Sequence, residues 1–312
     1  MTNNKPITFI ILIFTLLGLG ACRAKNIASS SETLPATNPP IPQKAIVLGD
    51  ISDNPRKKIR KFQPLADYLA VHLSRVDRGE VKIAPDMETM IAWLKSGEVD
   101  IYIDSPYPAM LAINGANAKP ILRRWKKGSA EYYSLIITMS DHNINSLSDL
   151  QGKTIAFDHP FSTTGYMLPL AELLKSGLKA VEVKSSTDPV SKDAVSYGFS
   201  NEDENSIEWL LSGKVAAAAI DNQIFDKFSP EIKEKVVILA KTEPIARNLV
   251  LVRGDLAPEQ INAISSILLD MDRTPGGRAV LEQFNQTTKF DQFPTEESLN
   301  RIQNLYQQAQ NQ

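Results

Sequence analysis

An α/β protein made of two similar lobes is the fold class this sequence predicts. Three observations carry that reading. Short apolar runs alternate with helix-period patterns from Ala45 onward, one helix–glycine–strand unit occurs twice, and 312 residues at 43% hydrophobic content suffice for about two domains.

The elements follow in order. Lys5 precedes an apolar run from Ile7 to Leu19, too short for the ~20 residues of a membrane-spanning helix, and residues 1–21 read as a signal peptide. Leu19-Gly20-Ala21-Cys22 closes the run and resembles a bacterial lipobox, which implies that Cys22 is acylated and becomes the first mature residue. Cys22 is also the sole cysteine, so an internal disulfide and a thiolate-rich metal site are excluded. Residues 22–43, rich in Ser, Thr and Pro, cannot form a core and read as a flexible tether. Folded structure is expected to begin at residue 44. Ala45–Leu48, Val81–Ile83, Ile101–Ile103 and Leu135–Ile137 read as strands, and Phe62, Leu65, Ala66, Leu69 and Leu73 mark a helix face. An apolar strand at Leu249–Val252, within Ala246–Arg253, should return the chain to the first lobe. Helices at 258–271 and 275–284 come next, and Gln307–Gln312 reads as a fraying end. The expected division is 44–137 with 246–312 as one lobe and 138–245 as the other.

The repeated unit is Glu88-x-x-Ile91-x-Trp93-Leu94-x-Ser96-Gly97-x-Val99, which matches Glu204-x-x-Ile207-x-Trp209-Leu210-x-Ser212-Gly213-x-Val215 at a constant offset of 116. Each copy reads as a helix, a glycine stop and a strand, and both tryptophans read as core residues. The strands end at Asp104 and Asp221. Ligands in such sheets bind beyond the carboxyl ends of the strands, which places both aspartates at the lip of a cleft.

Between the two units, Thr154–Phe157 reads as a strand that breaks at Pro160, and Ser162-Thr163-Thr164-Gly165 opens a helix with a buried stripe at Met167, Leu170, Ala171 and Leu174. Two readings stand for this turn. One hydroxyl suffices to cap a helix. Three hydroxyls beside unpaired first-turn N–H groups, with a glycine allowing close backbone approach, suit a tetrahedral anion.

The exported leader, the Gly97–Ile101 segment and above all Asp158-x-Pro160-x-Ser162-Thr163-Thr164-Gly165-Tyr166 resemble the phosphonate-, phosphite- and phosphate-binding proteins of ABC importers, over most of residues 45 to about 285. The resemblance implies a type II periplasmic-binding-protein fold, with two α/β lobes, an interlobe cleft and two crossing strands. It implies that Ser162, Thr163, Thr164 and adjoining amides such as that of Gly165 hold the oxyanion, with Asp104 and Ser105 contributed by the first lobe and Asp221 by the second. Met87 and Asp104 stand where family members that bind aminoalkyl phosphonates place aromatics. Asn201–Asn205 stands where a histidine is common. Acidic side chains in the cleft favour a ligand that brings its own donors, either a protonated oxyanion oxygen or an amine.

Other features are weighed against plainer accounts. Arg123-Arg124-Trp125-Lys126-Lys127 reads first as a solvated loop face, with a cation aimed into the cleft or a permease-docking patch as the sharper account. Glu202-Asp203-Glu204 reads as a helix N-terminus, with Asp203 as a candidate ligand residue. Asp158-His159 next to Ser162 does not make a hydrolase triad easily, since residues so close along a turn cannot adopt its geometry. His72 and His142 are isolated, so no metal site is expected. A formal net charge of −2 argues against nucleic acid as a partner.

The resulting expectation is a monomeric, lipid-anchored solute-binding protein of the cell envelope. It takes a small phosphorus oxyanion to an ABC permease, without cofactor and without catalysis. The alternatives are a ligand-sensing subunit feeding a receptor kinase and an envelope hydrolase using Ser162.

Overall fold

A computed structural model of the protein describes residues 44–184 and 191–311. Cys22, the leader and the tether lie outside these residues.

The chain opens with β1 (Ala45–Ile51), α1 (Pro55–His72) and β2 (Arg78–Ala84). Phe62, Leu65, Ala66 and Leu69 of α1 are buried against the strands. Then come α2 (Met87–Ser96), β3 (Ile101–Asp104), α3 (Pro106–Ala116) and β4 (Lys119–Lys126). A short strand, β5 (Glu131–Tyr132), leads to β6 (Ser134–Met139) and β7 (Thr154–Phe157). The next elements are α4 (Leu168–Lys175), β8 (Ala180–Glu182), β9 (Val195–Phe199), α5 (Asp203–Leu211) and β10 (Ala217–Asp221). The short helices α6 (Asn222–Phe225) and α7 (Pro230–Lys235) precede β11 (Val236–Lys241), β12 (Ile245–Ala246) and β13 (Asn248–Val252). The chain ends with α8 (Pro258–Asp270), α9 (Pro275–Gln283), β14 (Thr287–Asp291) and α10 (Glu296–Gln310).

Two six-stranded mixed sheets result, ordered β14-β4-β13-β3-β1-β2 and β11-β6-β10-β7-β9-β8. The two crossings pair with each other as a ribbon, β5 antiparallel to β12, with Ile245 opposite Tyr132 and Ala246 opposite Glu131. This matches the two lobes and two crossing strands that the resemblance implies. Leu135–Ile137, placed by sequence in the first lobe, belongs instead to the second sheet, where β6 lies between β10 and β11. An apolar run does not say which sheet it joins, and the crossing comes just before it.

The repeated unit folds the same way twice. The Trp93 carbonyl accepts N–H groups from Glu98 and Val99, and the Trp209 carbonyl accepts those of Lys214 and Val215. Gly97 and Gly213 lie in the left-handed region at φ 76° and 72°, the conformation a helix stop needs. The tryptophans correct the expectation of core residues. Each is half-buried, with a lysine over its ring, Lys82 at 4.2 Å from the Trp93 centroid and Lys214 at 3.4 Å from that of Trp209.

The C-terminus also departs from its expected fraying. Helix α10 runs to Gln310, buries Ile302 and Ala309, and packs on both α4 and α3. Gln310 Nε2 donates to Tyr107 Oη at 3.1 Å. A Gln-rich surface hid an amphipathic helix whose apolar stripe is narrow.

Candidate functional site

The Ser162 turn is built by a proline seven residues further on. A regular helix through this segment would have the residue-169 N–H donate to the Gly165 carbonyl, and Pro169 has none. The Gly165 carbonyl instead accepts from Asp158 N–H at 3.0 Å, and residues Thr163–Met167 widen into a π-helical turn that leads into α4. Such turns recur at functional sites. The expected amphipathic helix is therefore present, with Met167, Leu170 and Ala171 buried, but its mouth is wider than an α-helical start.

Each member of the hydroxyl triplet has a distinct environment. Ser162 Oγ accepts from Gly165 N–H at 3.0 Å, the plain capping use. Thr163 Oγ1 accepts from Tyr107 N–H at 2.9 Å, so a side chain of the second lobe satisfies a first-turn donor of α3 in the first. Thr164 is buried, and its carbonyl accepts from Ser134 Oγ at 2.7 Å. All three residues line a cleft of ≈ 340 Å³ together with Ser105, Asp203 and Asp221. Gly165 is buried within the turn and does not line the cleft. Asp104 is adjacent but engaged locally, accepting from Tyr102 Oη and from Ser105 N–H, each at 2.6 Å.

Asp221 ends β10 and caps α6, accepting Gln223 N–H at 2.7 Å, and it pairs with Arg247 Nη1 at 3.5 Å. Arg247 follows the crossing strand β12, is 8% exposed, and lies over the Tyr132 ring at 5.0 Å. Several buried polar atoms of cleft-lining residues have no protein partner: Arg247 Nε, Asn248 Oδ1 and Gln223 Oε1. Orphaned groups of this kind are costly unless something else satisfies them.

The basic run corrects the solvated-loop reading. Arg123 makes a bidentate pair with Asp291 at 2.9 and 2.8 Å. Arg124 is 2% exposed, donates to Thr287 Oγ1 at 2.7 Å and covers the Phe284 ring. Lys126 and Lys127 line the cleft. Burial, and next the cations Arg124, Arg247 and Lys127, push the Lys126 ammonium down to about 8. An anion among these groups would relieve that repulsion.

Asp203, the first residue of α5, has its carboxyl pushed up to about 7, chiefly by burial and then by Asp158, Asp221, Glu204 and Glu202. Near neutral pH a substantial fraction is therefore protonated and can donate a hydrogen bond. From about pH 4, where the unfolded carboxyl ionises, to about pH 7, the folded chain keeps a proton that the unfolded chain has released. Native stability should fall across that window as pH rises. Asp203→Asn is expected to flatten the fall, read as the urea midpoint against pH, and an unchanged slope would exclude Asp203 as its source.

Asp158 and His159 do not assemble a triad with Ser162. His159 Nδ1 accepts from Phe161 N–H at 3.2 Å, and His159 and Ser162 are joined through the backbone, the Ser162 N–H donating to the His159 carbonyl at 2.8 Å. No cluster of metal-ligating side chains occurs among them either.

Sequence reasoning missed Arg247, Asn248, Tyr132 and Gln223. One signal was available for the first of these, since Arg247 is the charge that interrupts the apolar stretch from Ile245 to Val252.

The family model described as "ABC transporter, phosphonate, periplasmic substrate-binding protein" matches residues 49–296. The chain is 26% identical over 194 residues to the phosphate-import protein PhnD of Mycolicibacterium smegmatis, covering 59% of each chain. It is 23% identical over 255 residues to the phosphonates-binding periplasmic protein of Escherichia coli, covering 77% of this chain and 70% of that one. Among solved structures, a Xanthomonas citri protein bound to ATP superposes with a TM-score of 0.79 at 28% identity, over 86% of this chain and 98% of that one. A Prochlorococcus marinus protein in complex with methylphosphonate does so at 0.60 and 18%, over 86% and 98%. The fold is of the type II periplasmic-binding-protein kind, and the family is one of transport components rather than enzymes. With most of its folded length matched, the chain belongs to the family of periplasmic phosphonate substrate-binding proteins of ABC transporters.

Proposed function

We propose that this protein is a monomeric, lipid-anchored binding protein, held at the envelope through Cys22, which captures a phosphorus oxyanion in the interlobe cleft and delivers it to a membrane permease. In this reading residues 1–21 are the cleaved leader and 22–43 the tether. The observation that carries it is the convergence of the Ser162–Thr164 turn with Arg247, whose Nε is buried and unpartnered, in one cleft. A tetrahedral anion supplies several acceptors to such donors, and the N-termini of α3 and of the Thr163 turn both favour negative charge. Thr163 and Thr164 grip the oxyanion from the second lobe, the Ser162–Gly165 hydrogen bond holds their turn in shape, and Ser105 closes from the first. Asp104 holds the Ser105 loop in place. Protonated Asp203 donates to one oxygen, and Asp221 orients Arg247.

The relatives' ligands set the range of candidates, from methylphosphonate to ATP. A thermal-shift series with phosphate, phosphite, methylphosphonate, aminoethylphosphonate, ATP and sulfate tests the proposal. A cognate ligand at 100 times its Kd adds about 2.7 kcal/mol of stability. A clear rise with at least one phosphorus anion and none with sulfate is expected. If no anion shifts the transition while an uncharged solute does, the oxyanion reading fails.

A further inference from the structure

The cleft holds more cationic charge than one phosphoryl group needs. Lys126, Lys127, Lys227 and Arg247 line it, against the carboxylates Asp203, Glu204 and Asp221. Asp221 is spent on Arg247 and on the cap of α6. Burial and the surrounding carboxylates push Asp203 toward its neutral form. That leaves the exposed Glu204 to oppose the lysines. Among the described residues, none of these three lysines has a carboxylate within ion-pairing distance.

The arrangement also has a direction. Lys127 and Lys227 are shared between the cleft and a second, more open groove of ≈ 700 Å³, which is further lined by Arg278, Leu281, Glu282, Gln286, Thr287 and Thr288. Lys127 comes from the first-lobe turn after β4, and Lys227 from the second-lobe segment after α6. The two therefore mark where the cleft opens outward between the lobes. Lys127 also occupies a position that selects against its residue type. It sits at φ 54° ahead of Gly128 at φ 77°, inside the turn that brings Lys126 opposite Ser129. Asn or Gly is preferred at such a site, and a lysine there stores strain. A side chain that keeps a strained backbone position at the mouth of a cleft points to use of its ammonium.

We propose that the ligand is an extended polyanion with at least two phosphoryl groups, one held by the Ser162–Thr164 turn and Arg247, the next by Lys126, Lys127 and Lys227, with the remainder along the outer groove. The inference rests on the oxyanion reading of the cleft and deepens it. A single phosphonate leaves the outer lysines unpaired, whereas a phosphoanhydride or a phosphate ester with a second anionic group engages both ends.

Isothermal titration of the protein with inorganic phosphate, methylphosphonate and pyrophosphate tests this, alongside the double variant Lys127→Asn/Lys227→Gln. Asn tolerates the left-handed conformation at 127, and an unchanged melting temperature without ligand confirms that the variant folds. Pyrophosphate should bind at least about tenfold more tightly than phosphate, and the double variant should erase that advantage while phosphate affinity stays within about twofold. Equal affinity for the two anions, or an equal loss for both in the variant, overturns the extended-ligand inference and leaves the oxyanion reading standing. If all three anions fail to bind, the oxyanion reading falls and the inference falls with it.

Discussion

Arg247→Ala is expected to lower affinity for the cognate anion by at least about 100-fold, because a buried, charge-assisted donor disappears from a site with few others as well placed. The folded state should weaken as well. Removing one partner of a buried ion pair costs about 3–5 kcal/mol, and the low end applies here, since the pair is long at 3.5 Å and Asp221 keeps the Gln223 N–H. Arg247→Lys separates the two effects. It returns a positive charge to Asp221 and so recovers most of the stability, but it lacks the fork and the Nε donor, so affinity should recover only in part. Titration calorimetry and urea denaturation on both variants read the result. Wild-type affinity in Arg247→Ala would remove this residue from the site.

Gly165→Ala should be the most damaging small substitution in the cleft. A Cβ at this position would lie 2.3 Å from Asp158 Cβ and 2.9 Å from Ser162 Oγ, inside contacts that real side chains never make. Neither neighbour can yield cheaply. Asp158 is held through its N–H by the Gly165 carbonyl, and Ser162 Oγ holds the Gly165 N–H. Overpacking of this kind costs roughly 1–3 kcal/mol, and displacement of the π turn should abolish anion binding as well. Gly276→Ala is the matched control. It lies in the first turn of α9, where an added Cβ meets nothing within 4 Å, so it should be neutral or slightly stabilising. Comparable losses in the two variants would show that the effect is generic to glycine and not particular to the turn.

The legibility of this chain followed the range of the interactions involved. The strands at Ala45, Ile101, Thr154 and Leu249, the helix faces of α1 and α4, and the Trp-Leu-x-Ser-Gly unit are written in periodicity and local stops, and all were readable. The Ser162 turn was readable too, but its π geometry depended on Pro169, whose effect runs backward along the chain. Arg123 and Arg124 looked like surface charges because their partners, Asp291 and Thr287, come from β14, far away in sequence. Arg247 escaped for the same reason. Its importance comes from the crossing that places it beside Asp221, and no local pattern encodes a crossing.

The position of Arg247 directly after β12 has a kinetic consequence. The β5–β12 ribbon is where the chain passes between the two sheets, and groups near a pivot of that kind move least. Arg247 would thus meet an arriving anion in nearly the same place whether the lobes are apart or together, which makes it a determinant of the association rate. The Thr163–Tyr107 contact joins the two lobes and forms only when they meet, so it governs how long the ligand stays. Thr163→Val should therefore shorten residence time with little change in the rate of capture, whereas loss of Arg247 should slow capture itself.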